Sequence, residues 1–268
     1  MTAAPEHVGD LALALALADI ADQITTPKFK AADLEVETKP DLTPVSESDK
    51  AAELAIREHL KQVRPDDAVV GEEFGAEEAK NGRRWILDPI DGTKSYVRGM
   101  PTWSTLIALQ DQGETIVAVV AMPAVARRWW ATKGGGAWTL NRALGGGEAE
   151  RCQVSKVPDL AHAQLGWSGI EDWDAEGKGE QIIKLARSCW RTRGMGDAWQ
   201  YMLVAEGAFE IATDPEATLW DLAAPALIVE EAGGTFTSVS GDPDPGTGSG
   251  LATNGLVHDR VLAILAGD

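Results

Sequence analysis

Hydrophobic and polar positions change rhythm along this chain. Residues 5–25 alternate Leu and Ala as a strand would, but both are strong helix formers and the tail carries Asp and Gln, so the segment predicts a helix. Residues 46–62 predict a second one. There Ala52, Ile56 and the His59/Leu60 pair recur at helical intervals, and Ser46 stands three residues before Asp49, a capping-box spacing. From residue 68 to 140 the pattern becomes β-rich. Runs at 68–71, 85–87, 104–110, 115–122, 127–132 and 137–140 are separated by turn residues, and Asp111-Gln112-Gly113 predicts a hairpin. Residues 141–150 mark the expected boundary between an N-terminal α+β part (1–145) and a C-terminal α/β part (146–268). In the second part, strands at 153–155, 164–167, 209–213 and 235–239 alternate with helices at 179–189, 197–206 and 220–231, before a terminal strand and helix. Residues 241–250, rich in Pro, Asp and Gly, predict a mobile surface loop. Mixed alternation of this kind predicts layered α/β packing.

Composition narrows the chemistry. The 268 residues are 44% hydrophobic, as in ordinary globular proteins. A net charge of −18 argues against nucleic acid, whose phosphates need a basic footprint. Cys152 and Cys189 form no CxxC, which fits a reducing, cytoplasmic setting. His7, His59, His162 and His258 are scattered, so the sequence favours an all-oxygen Mg²⁺ or Mn²⁺ site over zinc. The apolar run at 11–18 is too short to span a bilayer, and no basic leader precedes it; no membrane role is expected. Ten Trp are expected mainly in the core, with some at interfaces or a pocket rim.

The chemistry concentrates in Asp88-Pro89-Ile90-Asp91-Gly92-Thr93, directly after the apolar run Arg84-Trp85-Ile86-Leu87. Two carboxylates on one side of a turn, beside the N–H groups of Gly92 and Thr93, suit a hard cation holding a phosphate. By itself the hexapeptide is more simply a surface turn. It is accompanied, however, by Gly71-Glu72-Glu73 upstream, and downstream by Leu219-Trp220-Asp221-Leu222-Ala223-Ala224 running into Ile228-Val229-Glu230-Glu231-Ala232-Gly233-Gly234.

These blocks, in this order, resemble the inositol monophosphatase superfamily of metal-dependent phosphatases. Within it, Arg98-Gly99-Met100-Pro101-Thr102-Trp103 and Ala124-Val125-Ala126-Arg127-Arg128-Trp129-Trp130 look most like actinobacterial-type histidinol-phosphate phosphatases. The resemblance implies an αβαβα sandwich, a homodimer, and a small phosphorylated substrate hydrolysed by metal-activated water without a phosphoenzyme. It implies two or three Mg²⁺ ions, with Mn²⁺ a substitute. Glu72, Asp88 and the Ile90 carbonyl would hold the first. Asp88, Asp91 and Asp221 would hold the second, and Glu72 a third. An acidic protein acting on an anion needs such cations.

The resemblance also makes Thr93 and Asp49 the pair that orients the attacking water, with Glu72 as a further catalytic group and Gly92 and Thr93 as the phosphate cradle. Each residue has a plainer reading. Asp49 fits a helix cap and Asp221 an N-cap, with Pro225 marking a helix start. Asp214 fits an Asp-Pro turn, or an acid near the leaving group that would accept inositol hydroxyls or pair with a histidinol ammonium. Asp197, Trp103 and Arg98 are weaker candidates there, and Glu73 is expected to face solvent. An inositol-1-phosphatase, a broader sugar or nucleotide phosphatase, and a non-catalytic metal- or phosphate-binding regulator are the alternatives.

Overall fold

The computed structural model describes residues 4–39, 43–143 and 147–267. In chain order its elements begin with α1 (Val8–Lys28), β1 (Val36–Thr38), β2 (Pro44–Ser46), α2 (Glu47–Val63), β3 (Ala68–Gly71), β4 (Gly75–Ala76), β5 (Arg83–Asp91) and α3 (Thr93–Val97). Next come β6 (Ser104–Asp111), β7 (Glu114–Met122), β8 (Arg127–Thr132), β9 (Gly136–Asn141), β10 (Glu150–Arg151), β11 (Gln164–Trp167), α4 (Ile170–Ala175) and α5 (Gly179–Ser188). The chain finishes with β12 (Arg191–Gly194), α6 (Asp197–Ala205), β13 (Ile211–Asp214), α7 (Leu219–Glu231), β14 (Thr235–Thr237), β15 (Gly250–Thr253) and α8 (His258–Ala266).

Side-chain alternation shows how these elements become layers. Successive strand residues point to opposite faces. In β6, Ile107 and Leu109 join the cluster under α1 and α2, while Leu106 and Ala108 join the one under α6 and α7. Strand β7 divides the same way, with Val117 and Val119 on one side and Ala118 and Val120 on the other. Its nearly unbroken apolar run therefore reflects burial on both faces. The second sheet repeats the device: Ala212 of β13 faces α6 and α7, and Ile211 faces α5 and α8. The result is an αβαβα sandwich, as the resemblance implied.

The eight-stranded sheet has the order β10-β9-β8-β7-β6-β5-β3-β4, and the five-stranded sheet β12-β11-β13-β15-β14. The central cluster takes Ile86 and Val120 from the first half and Leu222, Ile228 and Phe236 from the second. The expected boundary between 145 and 146 falls on residues outside those described.

Three local expectations change. Strand β5 does not stop before the Asp-Pro motif but runs through it to Asp91, because a break in register between Asp88 and Asp91 absorbs Pro89 against β6. No strand forms at 153–155: the Val154 amide donates instead to the Ala232 carbonyl at the end of α7. Helix α7 begins at Leu219, so Pro225 lies inside it rather than at its start. Pro225 has no N–H for the carbonyl of Asp221, four residues back.

Candidate metal and phosphate site

The site forms where several chain ends meet. Strands β3 and β5 are parallel neighbours, so Glu72 and the Asp88–Asp91 segment leave the sheet at the same edge. The bulge in β5 lets the Asp88 carboxylate turn back, and its Oδ1 accepts the Ile90 N–H at 3.0 Å. From the other side of the core, α7 delivers Asp221. One oxygen from each of Asp88, Asp91 and Asp221 lies within 4.8 Å of the others.

Asp221 is held by its helix but is not the cap. It occupies the third position of α7, and its Oδ2 accepts the Thr218 N–H at 2.7 Å and the Thr218 hydroxyl at 2.9 Å. Asp91 is clamped on Oδ2 by the Ser104 hydroxyl and the Ala198 N–H, both at 2.8 Å. Each carboxylate thus keeps an oxygen for another ligand. Burial is the main influence on all three, raising their pKa values; the charges of Glu72, Asp91 and Asp221 push Asp88 further up.

Asp49 serves a cap and the site together. Its Oδ2 accepts the Ser46 N–H at 2.8 Å and hydroxyl at 2.5 Å, while its Oδ1 lies 3.1 Å from Thr93 Oγ1. Thr93 Oγ1 is also 2.9 Å from the Ile90 carbonyl. A hydroxyl has one proton and two lone pairs. With its proton committed to Asp49 or Ile90, Thr93 keeps lone pairs that can accept from another donor. Gly92, at φ +80°, makes the turn between β5 and α3. A Cβ there would stand 2.8 Å from Asp197 Oδ2 and 3.1 Å from the Thr102 carbonyl.

Glu73 does not face solvent. Lys39 Nζ lies 2.7 Å from both Glu72 Oε1 and Glu73 Oε1, and the Glu73 side chain is only 4% exposed against 22% for Glu72. The lysine draws both acids inward. Trp103 cannot line a substrate pocket: it is fully buried in edge-to-face contact with Tyr96, centroids 4.9 Å apart, and against Phe29. Asp214, at the end of β13, accepts Gln200 Nε2 at 2.6 Å and the Tyr201 hydroxyl at 2.5 Å on Oδ2. Burial pushes Asp214 up to about 6. Asp197, at the start of α6, is pushed up to about 7 by burial and then by the charges of Asp214 and Asp221.

Glu53 and Lys39 escaped the sequence reading. Glu53 is fully buried; it accepts the N–H groups of Glu73 at 2.8 Å and Phe74 at 3.2 Å, and binds Arg57 Nε at 2.8 Å. A signal was present: Asp49, Glu53 and Arg57 are spaced by four on one face of α2. Lys39 carried none, since a lone lysine in a short hairpin looks like any surface residue.

The donor set fits a hard divalent cation. It consists of carboxylate oxygens without sulfur or imidazole, and burial makes their charges costly until a cation neutralises them. The profile of the inositol monophosphatase family matches residues 8–267. The chain belongs to that family. As a family member it is a phosphatase, and its relatives agree. A histidinol-phosphatase from Streptomyces coelicolor is 51% identical, over 97% of this chain and 98% of its own. A histidinol-phosphatase from Mycobacterium tuberculosis is 50% identical, over 96% of this chain and 97% of its own. Among solved structures, an IMPase from Thermotoga maritima superposes with a TM-score of 0.86 at 28% identity, covering 97% of this chain and 98% of that one. No helix among the described residues is long and apolar enough to cross a membrane.

Proposed function

We propose that this phosphatase hydrolyses L-histidinol phosphate to L-histidinol and phosphate in histidine biosynthesis, as a Mg²⁺-dependent cytoplasmic homodimer. The observation that carries the substrate is near-full-length identity of 51% and 50% to two proteins named histidinol-phosphatase. The convergence of Asp88, Asp91 and Asp221 supports the metal requirement.

When bound, two or three Mg²⁺ ions would lower the pKa of the attacking water and neutralise charge on the phosphoryl group. Glu72, Asp88 and the Ile90 carbonyl are the proposed ligands of the first, Asp88, Asp91 and Asp221 of the second, and Glu72 of a third. Mn²⁺ satisfies the same oxygens. Thr93, its own proton directed to Asp49, accepts a hydrogen bond from the attacking water and points a lone pair of that water at phosphorus. The N–H groups of Gly92 and Thr93, at a helix start where amides lack intrahelical acceptors, hold the phosphate oxygens. Glu72 orients water at the rim. Asp214 and Asp197 form the end that meets the leaving group, where an acidic surface favours the substrate's ammonium.

A second reading has its own support: an inositol-1-monophosphatase from Rhizobium meliloti is 34% identical over 79% of this chain. Phosphate release from L-histidinol phosphate and myo-inositol 1-phosphate, side by side with Mg²⁺, separates the two. A preference for the inositol ester keeps the metal site and overturns the substrate.

A further inference from the structure

Helix α3, which begins at Thr93, is a single turn of five residues. A helix this short has too few internal hydrogen bonds to hold its own place, so tertiary contacts must fix it. Tyr96 supplies them. Its ring packs edge-to-face on Trp103 and lies tilted against Phe29, centroids 5.6 Å apart. Its hydroxyl lies 2.7 Å from the Thr25 carbonyl of α1 and 3.2 Å from Ser48 Oγ of α2. A carbonyl only accepts, so the phenol proton goes to Thr25 and the Ser48 hydroxyl donates to the phenol oxygen.

Ser48 leads back to the site. Its N–H donates to Ser46 Oγ at 3.2 Å, and the Ser46 hydroxyl donates to Asp49 Oδ2 at 2.5 Å. The other oxygen of Asp49 meets Thr93 Oγ1 at 3.1 Å. The hydrogen bonds thus leave α3 at Tyr96, cross the capped start of α2 and return to α3 at Thr93. Tyr96, Ser48, Ser46 and Asp49 are all buried, so bulk water does not make good a missing link. A closed ring of this kind sets how α3 sits on α2, and with it where Thr93 stands relative to Asp49.

We propose that the Tyr96 hydroxyl is a positioning group for the hydrolysis, holding α3 against the capped end of α2 so that Thr93 keeps its orientation toward Asp49 and hence toward the attacking water. This rests on the reading of Thr93 and Asp49 as the pair that orients that water. Tyr96 acts at one remove, since its partners Thr25 and Ser48 are neither proposed metal ligands nor part of the phosphate cradle. A displacement of about 1 Å at a reacting centre costs up to about 100-fold in rate, so the smaller slack left by one lost hydroxyl lowers kcat by less than that and leaves substrate affinity alone.

The test measures Tyr96→Phe, Ser48→Ala, Thr93→Val and the Tyr96→Phe/Thr93→Val pair in saturating Mg²⁺, on whichever of L-histidinol phosphate and myo-inositol 1-phosphate the wild type prefers. Phe keeps the ring packing and deletes the hydroxyl alone. The expected result is a kcat lower by about tenfold in Tyr96→Phe and in Ser48→Ala, with KM within about twofold. Added to Thr93→Val, Tyr96→Phe should lower the remaining rate by less than about twofold, because the group it acts through is already gone. A full kcat in either Tyr96→Phe or Ser48→Ala, or the same tenfold fall in both backgrounds, would overturn the positioning role and leave Tyr96 as a support of the fold. A Thr93→Val enzyme with the wild-type kcat would overturn the water-orienting pair itself.

Discussion

The Glu53 carboxylate accepts the Glu73 N–H at 2.8 Å, tying the buried face of α2 to the turn that presents Glu72. A group that touches no substrate thus sets the position of a proposed metal ligand. Outer partners of this kind tune metal affinity by about 10- to 100-fold. Replacement Glu53→Gln should weaken Mg²⁺ binding about tenfold and destabilise the protein by about 3 kcal/mol, since Arg57 loses its buried partner. Calorimetric Mg²⁺ titration and urea unfolding read the two effects; unchanged affinity would detach Glu53 from the site.

Gly71 depends on the same carboxylate. A Cβ at Gly71 would overlap the carboxylate of Glu53, which is fully buried and held by the Glu73 and Phe74 N–H groups and Arg57. Gly71→Ala should destabilise the protein by about 2 kcal/mol and lower Mg²⁺ affinity as well, because relief requires moving the Glu72–Glu73 turn. A loss of stability at constant affinity would show that the turn moves independently of the metal ligands.

Asp88→Asn should abolish turnover and metal binding together. In the metal-free protein the same change should raise Tm by about 3 °C, since a buried group crowded by Glu72, Asp91 and Asp221 no longer carries charge. Thermal unfolding in EDTA and phosphate release in Mg²⁺ check both halves. Persisting turnover would remove Asp88 from the site.

Thr93→Val keeps shape and deletes the hydroxyl that lies 3.1 Å from Asp49. The expected outcome is a kcat lower by about 100-fold with KM within about threefold, the pattern of a group that acts on the attacking water. A rise in KM alone would reassign Thr93 to binding.

The pH dependence of the metal-free protein has a definite sign. Asp88 and Asp91 are raised well above their ordinary 3.8, Asp214 to about 6 and Asp197 to about 7. Each folded pKa exceeds the unfolded one, so each contribution is complete below the unfolded value and is lost as pH rises through the folded value. Stability in EDTA should therefore fall between about pH 4 and 7, and Mg²⁺ at pH 7 should restore it. Urea unfolding with and without Mg²⁺ measures this; a metal-free protein equally stable at both ends would contradict the buried-acid account.

Periodicity, motif order and composition by themselves determined much of this protein. The run of β6 and β7, the helix capped by Ser46, and the Asp88–Thr93 and Leu219–Gly234 blocks were legible because local propensity and spacing specify them. Asp49 at the third position of its helix was legible too, as a cap. Tertiary structure decided what those residues do for one another. Pro89 was absorbed in β5 because β6 supplied a partner across a bulge, and residues 153–155 found α7 rather than a strand. Glu73 turned inward because Lys39, more than thirty positions away, lies between it and Glu72. Glu53 became a brace for the same reason. A carboxylate's role depends on which donors surround it and how much water it has lost, and both are set by residues distant in sequence.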